Sequence, residues 1–441
     1  MKEFSVPFKD GLKKGLRSNS RSPRNSESLV ECYNLKPGEG GLEAYEPITN
    51  PLTGVAVDWP FPQLFLGQDV RVLATATAIY ELSTWTLGTA KLSSLTENER
   101  WDFIDFGSYL ILANGTKLCI RDYAAAWTSN DSTTTIPRFS TGCNFNGQAV
   151  AGNIKTTWHG CGTGSLIWSK IGSVDFTPDG TNEAGFRNIP WEGTVLRVKK
   201  LGKGVVVYCE NGIGVLVPFA QTFGWDILTE VGIPAKSAIS GNDNIHVFVN
   251  TAGELCRINK DFSLEVLGYS EYMSLMTAAS IVVEHNPVLR EFHISDPTYA
   301  FILTEQGLAK CYQEVTTVAV DNGTSYGVFT DQSDAQARII TDTLDFGLRG
   351  MKTLQTVEVG GYHSAGTVSA FAQWRVDKVA SLTTSPSILV NPDGVSTLVV
   401  TADEFRVGLT FTSYSGVELD YINFKVKLSD KRYVRGKYNV A

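Results

Sequence analysis

The side chains able to do chemistry are scattered along this chain. Its five histidines, at 159, 246, 285, 293 and 363, show no metal-ligand spacing. His159-Gly160-Cys161 sets two potential ligands close together, but nothing completes a zinc set, so a loop histidine is the reading there. His246 opens an apolar run and reads as a structural residue. Asp345-Phe346-Gly347 matches a kinase magnesium triplet without the glycine-rich loop, strand lysine or catalytic-loop aspartate that would give it meaning. Gly162-Thr163-Gly164 lacks the further glycine of a dinucleotide loop, and no GxSxG or Walker sequence occurs. Asp102, Asp105, Asp175, Glu210 and Asp226 stand at strand ends or turns, where carboxylates from separate repeats could meet as a glycosidase pair. Their commoner use is to accept bonds from nearby backbone amides. Trp158, Trp168, Trp191 and Trp225 could stack on sugar rings, although packing is the commoner use of such residues. Asn114-Gly115-Thr116 and Asn322-Gly323-Thr324 match the glycosylation sequon but read as turns. The expectation is therefore no catalytic, metal or cofactor residue, and a protein that is not an enzyme.

What must position these residues is a framework of short strands. At 441 residues the chain exceeds one ordinary core, and 41 glycines and 22 phenylalanines beside four methionines favour short strands joined by tight turns. Residues 101 to 123 form one complete unit. An aromatic lead-in (Trp101, Phe103, Phe106) turns at Gly107-Ser108 into Tyr109 to Leu112. Asn114-Gly115, a dipeptide suited to a two-residue type I′ turn, then sends the chain back through Lys117 to Arg121. Similar hairpins recur at 71–82, 205–217, 246–258 and 300–312. Turn glycines at 115, 212, 253 and 307 lie 97, 41 and 54 residues apart, and 97 divides into two similar periods. Four short strands in 40 to 55 residues is the period of a propeller blade. Counting a member around 145–169 gives a β-propeller of about six degenerate blades over residues 51–326.

After Tyr326 the strands lengthen and alternate, as in Arg406 to Phe411 and Phe424 to Leu428, which predicts a β-sandwich over 327–441. No part of the chain reads as a stable helix, so the class is all-β. Residues 1–50 differ again. Lys9, Lys13, Lys14, Arg17, Arg21 and Arg24 face one acid, Asp10, among small polar residues. Such a segment cannot bury enough apolar surface to fold alone and reads as a basic arm, either tethering a neighbour or DNA, or packed along its own domain. A strand is expected at Ser28 to Asn34 and a turn at Gly38 to Gly41.

The net charge of −8 argues against a surface built to hold nucleic acid, yet suits a wall past which DNA slides. Seven cysteines, odd in number and without a CxxC pair, read as reduced core residues of a protein assembled in a cytosol. The first residues lack the apolar core of a signal peptide and no run of 18 apolar residues occurs, so neither secretion by that route nor membrane insertion is expected.

A basic arm, a propeller with WDFIDFGSYLILANG-like hairpins, and a sandwich opening Thr343-Leu344-Asp345-Phe346-Gly347 and closing Ser415 to Asp420 resemble the tail nozzle and packaged-DNA-stabilisation proteins of short-tailed bacteriophages. The resemblance implies a homo-oligomeric ring, commonly a hexamer, below the portal and adaptor proteins. The ring continues the DNA channel, with transient passage of DNA, and anchors plug, tail fibre or spike proteins in the virion. It supplies no catalytic residue and no cofactor. A closed ring needs one face of each subunit to bind the opposite face of the next. Lys13, Lys14, Arg17, Arg21, Arg24, Lys431, Arg432, Arg435 and Lys437 are the candidate subunit contacts. A propeller-based adhesin for a cell-surface glycan is the alternative reading, and a polysaccharide hydrolase a third.

Overall fold

The computed structural model describes residues 3–19, 26–52, 62–67, 70–95, 99–107, 109–130, 132–220, 222–331, 334–348, 350–363, 366–377 and 379–429. The fold is all-β, with two compact units. One comprises residues 48–299 and 314–330; the other comprises 1–47, 300–313 and 331–441.

The first unit is a β-propeller. Five four-stranded antiparallel meanders follow one another: blade 1 runs from Gln63–Leu66 to Ala90–Leu92, blade 2 from Asp102–Phe106 to Trp127–Asn130, and blade 3 from Phe139–Phe145 to Gly185–Asn188. Blade 4 runs from Val195–Leu201 to Thr222–Thr229 and blade 5 from Ile239–Gly241 to Leu264–Gly268. Two smaller sheets complete the unit. The strands Val282–Asn286 and Glu291–Ser295 form a hairpin, and Gln313–Asp321 pairs with Thr324–Asp331. Asn50–Pro51 joins the last of these in parallel, Asn50 opposite Tyr326, so residues from both ends of the unit share one sheet. Five four-stranded meanders, a sixth begun by Val282–Asn286 and Glu291–Ser295 and continued in the sheet order by Ala300–Leu303 and Leu308–Lys310, and one smaller sheet thus stand where about six degenerate blades were expected.

The packing follows from period-2 side-chain alternation in strands covered on both faces. In Tyr109–Ala113, Leu110 and Leu112 join Val72, Ile79 and Trp101 of the blade 1 side. Ile111 and Ala113 join Phe139, Ala149 and Ile167 of blade 3. Gly204–Cys209 repeats the arrangement, with Val205 and Val207 turned to blade 3 and Val206 and Tyr208 to blade 5. All six residues of that strand are buried. A strand sandwiched in this way must be apolar at every position, which is why these hairpins read as unbroken apolar runs.

The Asn114-Gly115 turn is not the two-residue type I′ turn expected. Ala113 pairs with Leu118, leaving four residues in the loop. Only Gly115 has positive φ, at 96°. Asn114 is buried, and its side-chain oxygen accepts bonds from the Thr116 and Lys117 amides at 3.0 and 2.9 Å. That side-chain cap substitutes for the tighter backbone turn.

The second unit is a two-sheet sandwich. One sheet has the order Leu35–Pro37, Leu42–Ala44, Val417–Leu428, Lys352–His363, Val395–Ala402, and Glu3–Phe8 also pairs with Val417–Leu428. The other places Ala300–Leu303, Leu308–Lys310, Leu29–Tyr33, Ala337–Thr341, Glu404–Phe411 and Val368–Arg375 side by side. Phe346 packs 5.5 Å from both Phe405 and Phe424, one from each sheet, so it ties the two layers together.

Two boundaries differ from those read in the sequence. Residues 3–19 belong to the sandwich: Phe4 and Val6 lie opposite Val426 and Phe424, and Leu12 and Leu16 are buried. The basic residues hid an apolar series, Phe4, Val6, Phe8, Leu12 and Leu16, that anchors the segment. The hairpin at 300–310, read as a blade, follows Val282–Asn286 and Glu291–Ser295 in the order of a four-stranded meander, and its last strand continues that sheet into the strands of this unit, with which residues 300–313 are grouped. Its strand Leu308–Lys310 runs parallel to Leu29–Tyr33 with Tyr33 opposite Lys310, and the Leu16 amide donates to Leu308 O at 2.9 Å. A hairpin sequence fixes its own turn but not the sheet it joins.

Candidate functional site

The first strands of the propeller sheets converge on a polar cavity of about 420 Å³. Arg100, Phe103, Arg197, Lys199, Glu284 and His285 are among its lining residues. Arg197 and Lys199 stand two apart on Val195–Leu201 and so point the same way, while Val198 between them is buried against the neighbouring blade. Arg100 lies just before the blade 2 strand and is 9% exposed.

Two ion pairs organise the charge. Arg100 Nη2 reaches Glu284 Oε1 at 3.2 Å and donates to Thr316 O at 3.2 Å. Arg197 Nη2 reaches Asp102 Oδ1 at 2.8 Å. The other Asp102 oxygen accepts from Thr141 Oγ1 at 2.5 Å and from the Gly142 amide at 3.2 Å, and Thr141 Oγ1 in turn accepts from the Val198 amide. A buried carboxylate is stabilised by such a full set of donors. Lys236 donates to the carbonyls of Arg100 and Ser140, at 2.8 and 2.5 Å. Burial pulls its amine down to about 8, outweighing the attraction of Asp102. Burial also lowers Lys199, with Arg197 adding repulsion. Glu284 is raised by burial in spite of Arg100. His285, stacked on Phe292 at 4.4 Å, is lowered to about 4 by burial and by Lys199.

The residues singled out from the sequence take mostly structural places. Asp102 serves the axis through Arg197. Asp105 accepts from the Gly107 amide at 2.6 Å, Asp175 pairs with Lys170 at 2.6 Å, Glu210 accepts from the Thr194 amide at 2.9 Å, and Asp226 is exposed. These carboxylates do not converge. His246 is buried: it accepts from Tyr208 OH at 2.9 Å on Nδ1 and donates from Nε2 to Lys200 O at 3.0 Å, and burial holds it well below its usual value. Trp168 packs on Phe223 and Trp191 on Trp225, at 5.2 and 5.9 Å. All seven cysteines are free thiols, and burial raises Cys143, Cys209 and Cys256 to about 12.

Of the candidate subunit contacts, Lys13 and Lys14 are exposed on the short helix Asp10–Lys14, whereas Arg17 pairs with Asp342 at 3.4 Å within the sandwich. Arg21, Arg24, Lys431, Arg432, Arg435 and Lys437 lie outside the described residues. The sandwich also carries exposed apolar side chains between residues 376 and 399. Val379 is 96% exposed, Val399 70% and Leu389 63%, with Val376 and Ile388 partly covered.

Sequence reading missed Arg100, Arg197, Lys199, Lys236 and Glu284. One signal was available: Arg197-Val198-Lys199 places two cations on one face of a strand whose other face is apolar. The arrangement can hold charge. Asp102 and Glu284 are both tied to guanidinium groups, so the chemistry it offers is attraction of an oxyanion rather than proton transfer between paired carboxylates.

No family model matches the chain, and no curated protein matches it. Among solved structures, it is similar to the Pan2 WD40 domain of Neurospora crassa at 8% identity, over 64% of this chain and 86% of that one, with a TM-score of 0.39. It is similar to the Cps50 (Swd1) β-propeller domain of Myceliophteria thermophila at 10% identity, over 67% and 96%, with a TM-score of 0.40. A third is the extracellular domain of a one-component system from B. thetaiotaomicron, at 11% identity, over 87% and 64%, with a TM-score of 0.44.

Proposed function

We propose that the chain is a structural subunit of a short-tailed phage tail: a nozzle protein that forms a homo-oligomeric ring of six copies below the portal and adaptor. There it continues the DNA channel, retains packaged DNA and anchors plug or fibre proteins. In this reading it works by geometry in the virion after assembly in the bacterial host cytoplasm.

The observation that carries the reading is the run of exposed apolar residues in the sandwich, with Val379, Leu389 and Val399 at 96, 63 and 70% exposed. Single exposed apolar side chains are ordinary, but several within one stretch suit a protein contact. A ring buries such a surface between copies through a heterologous interface. The arrangement of an N-terminal segment, a propeller and a sandwich, together with the mildly acidic charge of −8, is consistent with a wall that DNA passes without sticking.

The test is native mass in solution, alone and with a portal–adaptor complex. Six times the 48.1 kDa chain mass is expected in at least the second condition. Leu389→Asp should lower the assembled fraction while leaving the unfolding transition in place. A strictly monomeric or trimeric particle in both conditions contradicts the reading, and glycan-array binding by such a monomer would favour the adhesin.

A further inference from the structure

We infer that the axial cavity of the propeller is a binding site for a small oxyanion, with Lys199 as its charged anchor and the side chains of Arg100 and Arg197 flanking it. The inference rests on the propeller unit alone and is independent of the nozzle reading.

Charge balance is the first support. Each arginine of the cavity has its own carboxylate, Glu284 for Arg100 and Asp102 for Arg197. Lys199 has none: among the described residues no carboxylate lies within ion-pair distance of its amine, and it donates no hydrogen bond there. Lys236 donates to the carbonyls of Arg100 and Ser140 and is attracted by Asp102 and Glu99, so it does not add to this imbalance. The cavity therefore carries three cations, Arg100, Arg197 and Lys199, against the two carboxylates Glu284 and Asp102.

Unmet donors are the second. Nε of Arg100 and Nε of Arg197 are both buried without an acceptor. A buried N–H without a partner is costly, and native structures keep few of them. These two belong to side chains lining the same cavity as Lys199. An anion seated there would meet an ammonium beside two guanidinium side chains, each with an N–H still free to take an acceptor, the kind of groups on which phosphate and carboxylate bind.

Size and lining set the ligand class. About 420 Å³ is far more than a single water, whose share of liquid volume is about 30 Å³. Phe65, Phe103, Val283 and Val318 supply apolar walls beside the charged groups. The cavity thus suits an oxyanion carried on a small organic body, such as a sugar phosphate or a sugar acid. Phosphate and carboxylate share the recognition chemistry described.

The experiment titrates the full-length protein by calorimetry with inorganic phosphate, glucose 6-phosphate and glucuronate, at constant ionic strength set with chloride. Saturable one-site binding of at least one ligand is expected, with a matching saturable rise in Tm. Preference between the phosphate and carboxylate arms identifies the group. Lys199→Met should weaken binding tenfold or more, and Lys199→Arg should keep it within a few-fold. Without ligand, Lys199→Met should melt at or above the wild-type temperature, since it removes an uncompensated charge. No saturable binding in any arm overturns the inference, as does unchanged affinity in Lys199→Met. A lowered unliganded Tm for Lys199→Met would assign the lysine a structural role and equally overturn it.

Discussion

Asp102→Asn is the sharpest perturbation of the propeller. Asp102 is 3% exposed, and its side chain faces Arg197, itself only 13% exposed, at 2.8 Å. The amide keeps the size of the carboxylate but removes the counter-charge, leaving a guanidinium partly buried without an anion. Removing one partner of a buried pair costs about 3–5 kcal/mol, whereas replacing both by apolar groups of similar volume is often near neutral. The amide oxygen can keep the bonds that one carboxylate oxygen accepts from Thr141 Oγ1 and the Gly142 amide, but the NH2 group then faces the Arg197 guanidinium, donor against donor. At roughly 2–4 °C per kcal/mol for a unit of this size, the midpoint should fall by about 6–20 °C. The assay is thermal unfolding by circular dichroism for Asp102→Asn, Arg197→Met and the double variant. The double should lose less than the sum of the singles, because it leaves no unpaired charge. A single-variant loss below about 1 kcal/mol, or additive losses, would mean that the pair is solvated and does not organise the axis.

Four further outcomes follow from the packing and the charges. Leu12→Ala, at a fully buried position of the N-terminal segment, should destabilise the sandwich by about 2–5 kcal/mol, read by urea unfolding; a change within about 0.5 kcal/mol would mean that the segment is only loosely held. Deleting residues 1–17 removes the strand against Val417–Leu428 as well, and should therefore lower the stability of the sandwich, read by the same unfolding, as well as weaken assembly. His285 has its folded value near 4 against an ordinary 6.5, so in that window the unfolded chain takes up a proton that the folded one does not. Stability should then fall as pH drops from about 6.5 to 4, and His285→Phe should flatten that slope in urea titrations; an equal slope in both proteins refutes the assignment. Gly408→Ala would drive a methyl into the ring of Phe371, its cross-strand partner, and should cost about 1–3 kcal/mol by the same assay, against no loss if the ring can swing away.

Much of the architecture was legible because it is written in local terms. The turn at Asn114-Gly115 and the strands 71–74, 79–82, 204–209, 213–219, 245–249 and 255–259 fall where apolar runs and turn residues place them. The long alternating strands Val395–Ala402 and Val417–Leu428 match a sheet with one solvated face, whereas Glu404–Phe411 is covered on both faces, with only Arg406 and Thr410 partly exposed. What failed to show was long-range pairing. Leu308–Lys310 closes a blade-like meander as its apolar turn pattern suggests, but its parallel partner on the other side, Leu29–Tyr33, could not be read from that pattern. Phe4 and Val6 were overlooked because six cations dominate the segment around them, and because Val426 and Phe424 lie more than 400 residues away. The axial charges were invisible for a similar reason. Arg100, Arg197 and Glu284 come from three separate sheets, and a lone cation in an apolar strand is unremarkable until its neighbours are known.

Imaging of the purified protein mixed with a portal–adaptor complex tests the proposed phage-tail ring most directly. A closed ring of six copies coaxial with the portal channel is the predicted particle. A single copy bound off the axis, or no association at micromolar concentration, would contradict it.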